Sequence, residues 1–143
     1  MTYTQTGSAR HTNLVIILIV CVILVAATML LPKGFSDDLS KIGQGSVVLV
    51  LTHDKNFVGG TEAMVMLNTL RSDYEGRVIF LAIDVNTPQG QAFTRQQGMG
   101  AEVLILFGPD GSRRNVFGAG ISEKEMRSVL DKYLSLSTSK GSE

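Results

Sequence analysis

Hydrophobic and polar positions divide the chain into two regimes. From Leu14 to Leu31 the sequence reads LVIILIVCVILVAATMLL, eighteen residues without a charge, and beyond it short apolar runs alternate with polar stretches. Three of those runs, Val47–Leu51, Val78–Ile83 and Val103–Phe107, are β-rich and continuous rather than alternating. Such runs fit strands covered by helices on both faces. Between the first two, Ala63, Met66, Leu67, Leu70 and Tyr74 recur at helical spacing, which predicts a helix over Thr61–Tyr74 that Gly76 ends. Strand, helix, strand at these lengths is a right-handed unit with parallel strands. A shorter helix is expected over Gln89–Gln97. Gly108-Pro109-Asp110-Gly111 is a turn, because proline presets one dihedral and glycine supplies the positive one, and Arg114–Phe117 returns as a hairpin arm. Ser122 and Glu125 form a capping box, with Ile121 and Met126 at the positions of a hydrophobic staple. Met126, Val129, Leu130, Tyr133 and Leu134 make the buried stripe of the helix that follows. The fold class is therefore α/β, in the order β-α-β-α-β-β-α.

The first regime predicts a transmembrane helix. Eighteen residues at 1.5 Å each span about 27 Å, close to the hydrocarbon thickness of a bilayer. Pro32 and Gly34 end the run. A cleaved signal peptide is the competing reading, but the stretch is longer than such segments use and no A-x-A site follows it. Leu18-Ile19-Val20-Cys21 departs from a lipoprotein acceptor site, which needs a small residue before the cysteine. The chain is read as a short polar tail (1–13), a single span with ends at Leu14 and Leu31, a connector (32–45), an α/β domain (46–134) and a fraying Ser/Thr-rich tail (135–143). Arg10 lies before the span and Lys33 and Lys41 after it, so flanking charge leaves the orientation open. A short tail inside a bacterial inner membrane, with the C-terminal domain extracytoplasmic, is the expected arrangement. The span holds no Asp, Glu, Lys, Arg or His, which argues against a proton or ion path. Cys21, the sole cysteine, reads as an apolar filler facing lipid or a partner helix.

Charge narrows the possible partners. Residues 33–143 carry twelve Lys/Arg and thirteen Asp/Glu, a balance unsuited to nucleic acid, which needs a basic patch. The only histidines are His11 and His53 and no cysteine accompanies them, so no metal site is expected. No G-x-G-x-x-G or G-x-x-x-x-G-K pattern follows the first strand, so no nucleotide or other cofactor is expected, although a helix start near Gly59-Gly60 suits an anion.

The order of elements, together with several local motifs, resembles a thioredoxin-like domain over Ser46–Leu134. The resemblance rests on Leu51-Thr52 at the end of the first strand, Tyr74-Glu75-Gly76, Ile83-Asp84-Val85-Asn86-Thr87-Pro88, Leu106-Phe107-Gly108-Pro109-Asp110-Gly111 and Phe117-Gly118. It implies a sheet order of second, first, third, fourth strand, with the last two antiparallel to the first pair. With the N-terminal anchor, the chain is similar to membrane-tethered thioredoxin-like proteins of bacterial envelopes. The family's C-x-x-C falls on Phe57-Val58-Gly59-Gly60, its buried acid near Leu51 and its cis-proline near Glu102. Dithiol exchange needs one sulfur whose pKa the helix start lowers and a second to resolve the mixed disulfide. Neither is present.

Two classes of function remain. One is a non-enzymatic subunit whose helix packs in a larger membrane protein complex and whose domain offers a docking or assembly surface. Its face would be the former active site: His53, Phe57, Val58, Gly59, Gly60 and Glu102. In the family this face binds extended peptide by main-chain pairing, and Phe57 would anchor a partner or fold back onto the core. The alternative is a membrane-tethered thiol-redox enzyme, an enzyme using His53 and Asp54 as acid and base, or a chaperone-like protein using the same groove.

Overall fold

A computed structural model describes residues 8–30, 34–57 and 60–139, with side chains for 13–26, 34–57 and 61–136. The chain divides into two compact units, with the boundary between Gly34 and Phe35. The first contains helix α1 (Ser8–Leu30). Its side chains from Leu14 to Val25 are exposed, so it has no polar face between them. Among the described residues no helix is long and apolar enough to cross a membrane. The expected span end at Leu31 lies outside them, as do the first seven residues and the last four.

The second unit is a four-stranded sheet between helices. Strands β1 (Val47–His53), β2 (Val78–Asp84), β3 (Val103–Phe107) and β4 (Arg113–Gly118) lie in the order β2-β1-β3-β4. β1 and β2 are parallel, with Val47 opposite Val78 and His53 opposite Asp84. β3 is antiparallel to β1, and β4 is antiparallel to β3. β4 therefore runs in the direction of β1. The expectation that both last strands oppose the first pair is corrected here: a tight hairpin at Gly108–Ser112 reverses the chain once more.

Every residue of β1 is buried, as its continuous apolar run requires. Alternation within it feeds two cores. Val47, Leu49 and Leu51 pack with Ala63, Met66, Leu67 and Leu70 of α2 (Gly60–Asp73) and with Met126 and Leu130 of α4 (Glu123–Ser139). Val48 and Val50 pack on the other face with Phe93 of α3 (Pro88–Gln97) and with Phe107. The capping box forms: the Glu125 amide donates to Ser122 Oγ at 3.3 Å, and the Ser122 amide donates back to Glu125 Oε2 at 3.2 Å.

The structure moves the domain boundaries outward at both ends. Residues 35–45, expected as a free connector, belong to the second unit. Phe35 packs on the first core under the Arg71 guanidinium (4.6 Å to the ring centre), and Leu39 and Ile42 cover the second. Ser36 bridges Leu81 in parallel, and the Ala82 amide donates to the Ser36 carbonyl at 3.1 Å, closing part of the β2 edge. Gly43 and Gly111 cross so closely that a Cβ on Gly111 would stand 3.0 Å from the Gly43 Cα. At the other end α4 continues past Leu134 to Ser139, so the tail expected from 135 is helical for its first residues.

Candidate functional site

The carboxyl ends of β1 and β2 define one end of the domain, where the chain turns out of the sheet into α2 and α3 and where ligands gather in open α/β sheets. Backbone geometry there follows from two short polar turns. Asp54 caps the turn after β1: its Oδ1 accepts from the Asn56 amide at 2.8 Å, and its carbonyl accepts from the Phe57 amide at 3.0 Å. Asp84 does the same after β2, with Oδ1 accepting from the Asn86 amide at 3.0 Å. Thr87 then caps α3, accepting from the Gly90 amide at 3.0 Å, with Pro88 opening the helix. Gly90 lies so near this turn that a Cβ would collide with the Asp84 carbonyl oxygen.

One side chain joins the two turns. Asn86 Nδ2 donates to Asp54 Oδ1 at 2.7 Å and to Asp84 Oδ1 at 3.2 Å. Lys55 Nζ sits 3.7 Å from Asp84 Oδ2. The Asn86 amide, with Lys55 and His53 adding positive charge, holds the Asp84 carboxyl below its ordinary range.

The third element at this end is the segment before β3. Buried Thr52 fixes it: its hydroxyl donates to the Gly100 carbonyl at 2.9 Å and accepts from the Val103 amide at 3.2 Å. Glu102 is tied by both main-chain groups, its amide donating to the Thr52 carbonyl at 2.8 Å and its carbonyl accepting from Ala119 at 2.9 Å. Its φ is +59°, the only positive value among the described non-glycine residues. Its Oε1 accepts from the Asp54 amide at 3.3 Å, while Oε2 is buried and has no hydrogen-bond partner.

The expected docking residues separate in this arrangement. Phe57 stands 63% exposed, so the alternative in which it folds onto the core does not hold. Glu102 lies beside the same corner through Asp54. His53 is 7% exposed, interior to the sheet instead of in a solvated loop, and presents little surface. Gly60 opens α2, whereas Val58 and Gly59 lie outside the described residues. Leu51, at the family's buried-acid position, is fully buried. Among the described residues no group of three His, Cys, Asp or Glu side chains is placed to hold a metal ion. Asn86 and Thr52 belong to the motifs that carry the resemblance, but the sequence assigns neither a role; the D-x-N spacing of Asp84 and Asn86 is the signal that marks the former, while a threonine at a strand end carries none.

The second unit superposes on solved thioredoxin structures. The fold is thioredoxin-like. A thioredoxin variant from Halobacterium salinarum superposes with a TM-score of 0.57 at 21% identity, covering 68% of this chain and 81% of its own. The germline-specific thioredoxin Deadhead of Drosophila melanogaster gives 0.54 at 15% identity, over 63% of this chain and 83% of its own. The thioredoxin of Fasciola hepatica gives 0.54 at 16% identity, over 63% and 83%. No protein-family model and no curated protein matches the sequence. The thioredoxin-like unit of this chain carries none of the cysteines of its sequence, since the single one is Cys21 in α1.

Proposed function

We propose that this chain is a membrane-anchored, thioredoxin-like docking or assembly subunit of a larger membrane protein complex, without dithiol chemistry of its own. The observation that carries the reading is the corner after β1. Where a dithiol would stand, it offers exposed Phe57, and the whole sequence contains one thiol, in α1. One thiol cannot close an intramolecular disulfide, so the two-step exchange has no resolving group. An exposed aromatic at the head of a rigid corner is instead the kind of residue that anchors a partner.

Anchoring is supported by the uncharged run of residues 14–31 and by the helical conformation and exposed apolar side chains of α1. A helix apolar on all sides needs lipid or other helices around it. The same proposal puts the domain on the outer side of a bacterial inner membrane; protease sensitivity of the domain in spheroplasts, with protection in inverted vesicles, tests that side.

The decisive experiment is extraction of the native protein in mild detergent, size separation and identification of what co-migrates. A stoichiometric partner in a large assembly is the expected result. Migration alone, together with insulin reduction faster than buffer, would replace this reading with the redox one.

A further inference from the structure

The groove of about 430 Å³ beside Arg77, Asp131, Leu134 and Ser135 shows no unsatisfied group, the Cys21 face of α1 has nothing to identify its neighbour, and Arg113 and Arg114 of β4 are engaged by the Gln97 carbonyl and by Asp110. Glu102 is different, because three separate facts about it point outward.

Its main chain is unavailable. Peptide recognition by strand addition needs a free amide or carbonyl, and both groups of Glu102 are already bonded, to Thr52 and Ala119. Recognition at this position must therefore use the side chain. That side chain is weakly held where it lies: one oxygen accepts a single 3.3 Å bond and the other accepts nothing. A buried acceptor without a donor is costly, so leaving this rotamer gives up little. The residue is only partly buried, which leaves it a route to the surface. Its surroundings at the carboxyl ends of β1 and β2 are acidic, with Asp54 and Asp84 nearby and Lys55 engaged by Asp84. His53, the other basic group facing this end, is buried at the close of β1.

We infer that the docking face reads a basic side chain of the partner, an arginine whose guanidinium takes both Glu102 oxygens while an adjoining apolar residue packs on Phe57. A planar guanidinium supplies two parallel donors, one for the unpartnered Oε2 and one to take the place of the long bond at Oε1. This inference rests on the docking reading above and names the chemistry of the occupant.

The test uses the full chain in detergent micelles at low salt, titrated with the extended peptide acetyl-Thr-Val-Arg-Val-Thr-amide and with its counterpart in which citrulline, neutral but of the same shape, replaces arginine. The amide resonance of Asp54, which reports the Glu102 bond, is the spectroscopic readout. The arginine peptide is expected to bind at least about tenfold more tightly than the citrulline peptide and to shift the Asp54 amide. Glu102→Gln should bring the two peptides level, and Phe57→Ala should weaken both alike. Equal binding of the two peptides, no binding of either, or an arginine preference that survives in Glu102→Gln overturns the inference. If Glu102→Gln does not fold, the arginine–citrulline comparison on the unaltered protein decides alone. A co-migrating partner without arginine preference sinks this inference only, whereas arginine preference in a protein that migrates alone sinks the subunit reading only.

Discussion

Asn86 Nδ2 lies 2.7 Å from Asp54 Oδ1 and fastens the turn after β2 to the turn after β1. The bond fixes the height of the corner that carries Phe57, because Asp54 also receives the Asn56 and Phe57 amides. Asn86→Ala removes its side-chain bonds to Asp54 and Asp84 and should lower stability by about 1 kcal/mol, a small sum because both acceptors are solvated. Hydrogen exchange should quicken at the Asn56 and Phe57 amides and stay slow along β1. Uniform quickening across the sheet would show that Asn86 supports the whole domain and not the corner.

Phe57 itself should be neutral to folding. At 63% exposure its ring has little to lose, so Phe57→Ala should change stability by less than about 0.5 kcal/mol. Retention of the partner in mild detergent should fall. Unchanged retention with an unchanged melting curve would remove this corner as the docking surface.

Asp84 gives the site a pH dependence whose sign follows from its hydrogen bonds. The Asn86 amide, ahead of Lys55 and His53, holds its carboxyl below the ordinary value of 3.8. A depressed acid stabilises the fold fully above its unfolded value, and that contribution disappears as pH falls through the folded value. Asp84→Asn keeps an acceptor for the Asn86 amide but removes the charge. The difference in thermal midpoint between the two proteins should stay constant from about pH 7 to about pH 5 and narrow below about pH 4. A gap that widens on acidification would mean that Asp84 is repelled, not held, in the folded state.

Much of this architecture was legible in the sequence, and the exceptions share a cause. Val47–Leu51 and Val103–Phe107 announce strands because every position in them is apolar, and Ser122 with Glu125 announces a helix start because the capping box is local. Residues 35–45 read as a connector because their apolar members, Phe35, Leu39 and Ile42, are isolated among polar neighbours. What they cover lies far along the chain, in the two cores that include Leu70, Phe93 and Phe107, and no local pattern reports that. His53 reads as loop for the same reason: its burial comes from pairing beside Asp84. The left-handed backbone of Glu102 is imposed by Thr52 and Ala119, and glutamate at that position gives no warning of it.

Packing of residues 35–45 can be tested directly. A shortened chain beginning at residue 46 should be less stable than one beginning at residue 35 by at least about 3 kcal/mol. Phe35, Leu39 and Ile42, all partly buried, each contribute roughly 1 kcal/mol of burial, and Ala82 loses its acceptor at Ser36. Denaturant melts of the two chains measure it. Equal midpoints would return this segment to the status of a linker.

Glu102 offers the sharpest test, because stability and binding should move in opposite directions there. A β-carbon at φ +59° costs about 1 kcal/mol relative to glycine, and an unpartnered buried carboxylate oxygen adds about 1 kcal/mol or more. Glu102→Gly removes both penalties. Against them stand the weak 3.3 Å bond from the Asp54 amide, which water can replace, and the greater entropy of glycine in the unfolded chain. The net should be a gain of about 1 kcal/mol, read as a rise in denaturant midpoint without change in slope. Partner retention should fall in the same variant. A residue that strains the backbone, leaves an acceptor unpaired and yet improves retention is held there by what it binds. If Glu102→Gly instead destabilises the domain, the carboxylate is a structural tie for the corner, and the strain at this position belongs to the fold.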